Sequence, residues 1–592
     1  MIDNMNELER FSPYGGELIL EEVAGGNNSF VTAENSVETD KGADRSMYAY
    51  VPVSGCPDAK QCQVLMVLRD GDDYDSAYAL MKEYGLDALA EKKHFVLLFP
   101  NALNSSWNYM QEAQRDDDCA FLVRCFATLP KSKGKVAGFN GMIFYLGVSE
   151  SASALLSVLS AKHPIDCSAV MLGKFPEGFD IPEGAGQPQV AWLYEENSRM
   201  EDYLKKVNAP CEEKKEEDIR VYTNTVNPNI HHFLSSNNLS CEEIERAWDR
   251  MFSEARRWRN DTYGTYQKRT NFTEWGFVAH VQDDSLGVNH GFKHTWYEYV
   301  PETVKNSDEK VPLLFYFHGG NCIPLYGAEQ SGWHYIAKRE NFMVVYPKAS
   351  TLKRWNVWEE ESEPSDMDFV LALIKHMKEL YPVDEKRIYI SGFSMGSMMT
   401  NALACAYPEV FAAGAAYNAQ NLGYSRNLKS TFSSLNMGGG ETYTEEELNA
   451  PSLTKLKADA KKATYDYRFP LMQNSGLLDA LGTNGWPIKD KDNLWLETFD
   501  YWKAYNNIPV SEFVYDDSYE TGLRADESCY EGDDQRFIHH KWHTADEGHL
   551  SLYEVLVAKR MPHAVDLRQI EYGWEFIKHF YRNADGSLGY QE

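Results

Sequence analysis

Short runs of β-branched and aromatic residues recur along the chain, separated by longer stretches with apolar positions every three or four residues. Val64-Leu65-Met66-Val67-Leu68, Phe95-Val96-Leu97-Leu98-Phe99-Pro100, Leu313-Leu314-Phe315-Tyr316-Phe317 and Phe342-Met343-Val344-Val345-Tyr346-Pro347 are nearly continuous apolar runs. Such runs are too short for helices and read as strands buried on both faces. Between them, Asp366-Met367-Asp368 leads into Phe369, Leu371, Ile374, Met377 and Leu380, an apolar stripe at helical spacing that stops before Tyr381-Pro382. A second helix is predicted after Ser394, through Met398, Ala402 and Ala406, ending before Pro408. A charged helix is predicted over 242–259, a strand over 552–557 and a closing amphipathic helix over 570–581. The charge run at 212–218 reads as a solvated loop or helix face. Strands alternating with helices predict an α/β fold, a mostly parallel sheet covered by helices on both faces.

The pattern occurs twice. Tyr48-Ala49-Tyr50-Val51-Pro52 matches Tyr297-Glu298-Tyr299-Val300-Pro301, and the strand starting at Val64 matches the one starting at Leu313. Phe95 to Pro100 matches Phe342 to Pro347, Trp107-Asn108 matches Trp355-Asn356, and Asp118 matches Asp366. Ile143-Phe144-Tyr145-Leu146-Gly147-Val148-Ser149 lines up with Ile388 through Ser394, and the offset stays between 249 and 245 residues throughout. Chance does not hold register over such a span, so a long-period duplication is predicted. The two domains are expected at 1–260 and 261–592.

At 592 residues, two or three cores are expected, and 43% hydrophobic with 13% aromatic content is ample to build them. A net charge of −31 argues against nucleic acid and anionic membrane as partners, since both would repel the chain. Met1-Ile2-Asp3-Asn4-Met5-Asn6-Glu7 carries neither a basic segment nor an apolar run, so a cytoplasmic location without signal peptide is expected. Ten cysteines are scattered, and the closest pair, Cys56 and Cys62, matches no zinc spacing. Reduced structural thiols are expected.

The candidate chemistry centres on Arg387-Ile388-Tyr389-Ile390-Ser391-Gly392-Phe393-Ser394-Met395-Gly396, a strand running into Gly-x-Ser-x-Gly and then a helix. A serine hydroxyl is a weak nucleophile, and a tight strand-to-helix turn presents it to a base. In α/β-hydrolases the partners follow in the order Ser, Asp or Glu, His. Asp479, just beyond the strand-like stretch Phe469 to Leu478, is the candidate acid. His539, His540, His543, His549 and His563 are the candidate bases. His563 is preferred because it lies between a strand and the last helix; His549 is the runner-up, and His539, His540 and His543 read as surface or substrate-side groups. An oxyanion needs preorganised N–H donors. Met395 supplies one, and the loop of Gly319, Gly320 and Asn321 after His318 supplies the other, with His318 structural.

The second half resembles the polyhydroxybutyrate depolymerase-like esterases, a group that includes feruloyl and acetylxylan esterases. The resemblance runs over residues 295–592. It is carried by Phe317-His318-Gly319-Gly320, Tyr346-Pro347, Trp355-Asn356, Asp366-x-Asp368-Phe369, Tyr381-Pro382-Val383-Asp384, Gly392 through Met399, and His563 before a Trp574-containing helix. It implies ester hydrolysis through an acyl-enzyme, with Ser394, Asp479 and His563 as triad. Ser397 stands where the family often has glycine. Segments 420–467 and 481–550 look like a lid, and their Tyr424, Phe432, Tyr443, Trp486, Trp495, Tyr501 and Trp502 suggest an aromatic pocket, with ordinary cap helices as the alternative. Small soluble esters are the expected substrates.

In the first half Glu150 and Ser151 replace Met395 and Gly396, and Arg69-Asp70-Gly71 replaces the His-Gly-Gly loop. Glu195 and Glu196 are weak acids for a triad, and His231 or His232 a conceivable base. This half is expected to be degenerate, packing against its partner or supporting a homo-oligomer. Asp70-Gly71-Asp72-Asp73-Tyr74-Asp75 lacks the sixth-position glycine and twelfth-position glutamate of a calcium loop. No cofactor or metal is implied by any motif. The alternatives to an esterase are a serine peptidase of prolyl-oligopeptidase type and an inactive scaffold.

Overall fold

The computed structural model describes residues 16–25, 43–53, 62–111, 117–133, 138–258, 265–268, 270–320, 322–351, 354–359, 361, 363–419, 444, 446, 450–462, 467–479, 485–532 and 535–591. The chain divides into two compact units, Met1–Arg269 and Thr270–Glu592.

The first unit is built on β1 (Leu18–Val23), β2 (Arg45–Tyr50), β3 (Cys62–Leu68), β4 (Val96–Pro100), β5 (Gly138–Gly147), β6 (Ala169–Leu172), β7 (Ala191–Leu193), β8 (Cys211–Glu216), β9 (Ile219–Asn224) and β10 (His231–Ser235). They form one sheet in the order β1-β2-β4-β3-β5-β6-β7-β10-β9-β8. A small hairpin, β11 (Ala255–Trp258) with β12 (Thr265–Lys268), follows. The second unit is built on β13 (Val278–Asp283), β14 (His294–Tyr299), β15 (Val311–Phe317), β16 (Met343–Pro347), β17 (Val383–Phe393), β18 (Ala413–Tyr417), β19 (Leu471–Gly476), β20 (Glu527–Glu531), β21 (Phe537–His543) and β22 (Ser551–Ala558). Its order is β13-β14-β16-β15-β17-β18-β19-β22-β21-β20, the same path through the same number of strands. Two such sheets, flanked by helices, fit a duplicated α/β unit.

In the second sheet the strands from β16 through β15, β17, β18 and β19 to β22 pair in parallel. The edges are antiparallel on both sides. These antiparallel flanks go beyond the mostly parallel sheet expected, and their sequences explain why. Edge strands need one buried face only, so they lack long apolar runs. β8, Cys-Glu-Glu-Lys-Lys-Glu, is an edge strand rather than the loop or helix face expected at 212–218. Its exposed charges discourage pairing with another chain. The helix expected over 242–259 is only Cys241–Ala247, followed by a π turn, Trp248–Phe252, and then β11. Arg257 is drawn into the hairpin by the carbonyl of Pro188 and the side chains of Gln187 and Gln189. The closing helix runs Leu567–Ile577, three residues earlier than expected, because Asp566 and Gln569 form a capping box.

The helix Asp366–Leu380 is capped by Ser365, whose side chain accepts from Asp368 N–H, and acidic residues in its first turn suit the positive end of the helix dipole. Asp366 itself turns inward. Its buried carboxylate accepts from the backbone N–H of Ser350 (3.0 Å) and Asn356 (2.7 Å). Its first-unit counterpart Asp118 likewise accepts from Asn108 N–H, but also pairs with buried Arg45, which lies over Phe121. The residue equivalent to Arg45 is His294, stacked 3.9 Å from Phe369, and burial pushes its pKa down to about 4. Burial pushes Asp366 up to about 6. Among the described residues no helix is long and apolar enough to cross a membrane, and Cys119, Cys125, Cys167 and Cys405 are buried thiols outside any disulfide.

Asp366→Ala deprives the buried N–H of Asn356 and the half-buried N–H of Ser350 of their acceptor and is expected to cost about 1–3 kcal/mol of stability. Because the native carboxyl titrates above its unfolded value, its contribution is fully present below the unfolded pKa of 3.8 and is lost as pH rises through about 6. Urea titrations of wild type and variant should therefore show the gap narrowing between acidic and neutral pH.

Candidate active site

β17 ends at Phe393 and the helix Met395–Ala406 begins two residues later, so Ser394 is the whole turn. It takes φ +55° and ψ −118°, a conformation that costs a non-glycine residue about 1–3 kcal/mol. The neighbouring backbone enforces it. A Cβ on Gly396 would stand 1.9 Å from the carbonyl oxygen of Phe317, and one on Gly392 would stand 2.3 Å from that of Gly396. Only glycine fits at either place. Ser394 N–H donates to the Tyr417 carbonyl (2.8 Å), which ties the turn to the end of β18.

Asp479 lies three residues beyond β19, and His563 lies between β22 and the last helix. They meet: His563 Nδ1 is 3.0 Å from Asp479 Oδ1 and 2.9 Å from Oδ2. The acid is buried at 2% side-chain exposure, while the histidine keeps 18%. The ring of Phe393, next to Ser394, packs 4.9 Å from the His563 ring. The two loops are held together by backbone. Leu478 N–H donates to the Met561 carbonyl (2.9 Å), and a Cβ on Gly476 would stand 2.2 Å from that same oxygen.

Met395 is the first residue of its helix, so its N–H has no acceptor within the helix. The loop after β15 comes up beside the turn: a Cβ on Gly319 would touch Phe393 at 3.1 Å and Ser394 Cβ at 3.4 Å. Gly320 follows it, and Asn321 lies outside the described residues. His318 is a brace. Its Nε2 accepts from Ala349 N–H (3.1 Å), leaving Nδ1–H to donate to the Gly319 carbonyl (2.7 Å). Trp355 Nε1–H donates to the His318 carbonyl (2.8 Å), as Trp107 Nε1–H does to that of Arg69 (2.9 Å) in the first unit.

The other histidines are elsewhere engaged. His539 bridges Glu531 (3.2 Å) and Glu554 (2.8 Å), and His540 bonds Thr521 (2.8 Å) and Ser528 (2.7 Å). Both are buried in β21, which corrects their reading as surface groups. His549 stacks on His543 (4.8 Å) and faces the Thr544 carbonyl. Of the aromatic residues assigned to a pocket, Trp502 is fully buried and donates to Asn401 Oδ1 (3.1 Å), and Tyr501 stacks on Tyr505. They are core. Trp486 donates to Ser475 Oγ (3.1 Å) on β19, and buried Trp495 packs edge-on against it at 4.9 Å. Tyr424, Phe432 and Tyr443 lie outside the described residues.

One contributor has no motif. Asn418, at φ +57° just past β18, accepts from Gly476 N–H (2.9 Å) and donates to the Ala564 carbonyl. It clamps the Asp479 loop to the His563 loop, and a single asparagine after an alanine-rich strand gives no sequence signal beyond its tolerance of positive φ.

The first unit shows the same turn relaxed. Ser149 has φ −106° and ψ 166°, and serves as an ordinary N-cap, accepting from Ala152 N–H. Its hydroxyl donates to Asp70 Oδ1 (2.8 Å), from the segment that replaces His318-Gly319. Lys174 pairs with Glu195, and His232 is buried against Tyr222, with its pKa pushed down to about 3 by burial.

Residues 296–441 match the family model described as esterase PHB depolymerase. The second unit is similar to that family. Among curated relatives, the bifunctional acetylxylan esterase/xylanase of Neocallimastix patriciarum is 36% identical over 118 residues, 18% of this chain and 17% of the relative. Feruloyl esterase B of Talaromyces funiculosus is 30% identical over 147 residues, 23% of this chain and 39% of the relative. Poly(3-hydroxyalkanoate) depolymerase C of Paucimonas lemoignei is 28% identical over 176 residues, 28% of this chain and 40% of the relative. The chain thus spans less than half the length of these relatives.

Ser394→Gly should relieve the turn and outweigh the entropy glycine adds to the unfolded chain, a net gain of about 1 kcal/mol. Ser394→Ala keeps the strain. The glycine variant is therefore expected to unfold at higher urea than the alanine variant.

Proposed function

We propose that the second unit hydrolyses carboxylic esters through an acyl-enzyme formed on Ser394. The observation that carries this reading is the strained Ser394 turn beside a histidine held by a buried carboxylate. Ser394 Oγ attacks the ester carbonyl as His563 Nε2 takes its proton; Asp479 holds Nδ1–H and steadies the imidazolium. The tetrahedral oxyanion is received by Met395 N–H and by the loop at Gly319, Gly320 and Asn321. Collapse expels the alcohol, which leaves with the proton from His563. Water then attacks the acyl-serine with His563 again as base, releasing the acid and restoring Ser394. The relatives named for acetylxylan, feruloyl and polyhydroxyalkanoate esters support ester hydrolysis. The partial exposure of His563 supports access by soluble esters.

The test is hydrolysis of graded p-nitrophenyl acyl esters and methyl ferulate, with fluorophosphonate labelling alongside. Wild type is expected to turn over esters and label at Ser394 and not at Ser149. Ser394→Ala should abolish both, and Asp479→Asn should lower kcat by about 10⁴-fold. Labelling with peptide but no ester turnover would favour a peptidase; a folded chain that neither labels nor hydrolyses would favour a scaffold.

A further inference from the structure

Away from the turn, on the flank formed by β13, β14 and the helix Asp366–Leu380, three side chains converge. Glu298 on β14 is fully buried. His376 Nε2 lies 3.0 Å from its Oε1, and His280 Nε2, from β13, lies 3.1 Å from the same oxygen. All three ligand-type atoms fall within 4.8 Å of one another. The two imidazole rings stand almost perpendicular, 87° apart with centroids 5.4 Å apart.

The fold does not require this. The residue equivalent to Glu298 is Ala49, buried at the same place in the first sheet, where its backbone pairs with Leu98 as Glu298 pairs with Val345. A buried carboxylate is expensive to desolvate unless something repays it. Its surroundings are also arranged. Glu298 Oε1 accepts from Trp296 Nε1–H (2.8 Å) and Oε2 from the Tyr381 hydroxyl (3.2 Å), so the carboxylate cannot turn. His280 stacks flat on Trp296 at 4.2 Å, and its other nitrogen, Nδ1, faces Asp283 Oδ2 at 3.5 Å. Its Nε2 is buried yet has no aligned hydrogen-bond partner among the described residues, despite the nearby carboxylate. His376 Nε2 is in line with Glu298 Oε1 while His280 Nε2 approaches the same oxygen out of line, so two imidazole nitrogens and a fixed carboxylate crowd one point, as ligands of a shared ion do.

We propose that His280, Glu298 and His376 bind a divalent transition metal, with zinc the ion their chemistry fits best. Two imidazoles and one carboxylate are a known zinc donor set that leaves a fourth position for water. A ligating imidazole typically gives its second nitrogen to a carboxylate, as His280 gives Nδ1 to Asp283. The ion would pin the edge strand β13 to β14 and to the helix Asp366–Leu380, a structural task separate from the chemistry at Ser394. The ligands sit at 280, 298 and 376 with no motif spacing, which is why the sequence implied no metal.

The full-length chain, stripped with chelator, would be incubated with zinc chloride, gel-filtered and assayed for metal, and in parallel titrated with cobalt(II). Wild type is expected to retain about one zinc per chain and to show the intense visible bands of four-coordinate cobalt. Its melting temperature should rise with zinc. His376→Gln and His280→Gln should each weaken retention by at least about tenfold, while Ser394→Ala retains it fully. The proposal is overturned if wild type retains no zinc, or if retention and cobalt bands survive in both histidine variants. Wild-type uptake and cobalt spectrum decide the matter even if a variant fails to fold; six-coordinate cobalt bands in wild type would also overturn the site.

Discussion

The candidate site hangs on a close contact between backbones at Gly396. There the first turn of the helix Met395–Ala406 passes so near the carbonyls of Phe317 and His318 that no side chain fits between them. That approach has two effects at once. It forces Ser394 into positive φ and lifts its side chain out of the sheet, and it brings the loop after β15 alongside. Strain in the turn and the position of the facing N–H donors therefore have one cause. The remaining groups are set by the same sheet edge: β17, β18, β19 and β22 run parallel, so the residues after their ends collect on one side.

In the first unit Ser151 stands where the second has Gly396, and the turn is relaxed. Glu150 and Ser151 occupy the helix start, and Ser149 settles into the extended geometry of a normal cap. The hydroxyl satisfies itself on the helix N–H and on Asp70 and has no reason to be elsewhere. Nothing in the sheet had to change for this. β5 and β17 stand at the same place in sheets of the same order, yet only one ends in a strained residue.

What is legible in the sequence follows physical concentration of signal. Strands buried on both faces announce themselves as apolar runs, and β3, β4, β15 and β16 lie where those runs predict. The Ser394 turn is readable because two glycines bracket it, and the meeting of Asp479 with His563 because their positions follow strand ends in chain order. The edges are not readable: β8, β13 and β20 carry mixed or charged sequences. Trp502 and Tyr501 mislead because a buried aromatic has the same spelling in a core as in a pocket. Asn418, and the trio His280, Glu298 and His376, stay hidden because their meaning lies in contacts across the fold.

The tryptophan brace separates what builds the fold from what builds the turn. Trp107 and Trp355 make the same bond to the carbonyl after the equivalent strand, although the first binds an Arg-Asp-Gly loop and the second a His-Gly-Gly loop. A feature present in both units, although only one of them carries the strained serine, serves the fold and not the turn. Each unit is in effect an internal reference for the other: what they share is architecture, and what only one of them has marks its own chemistry.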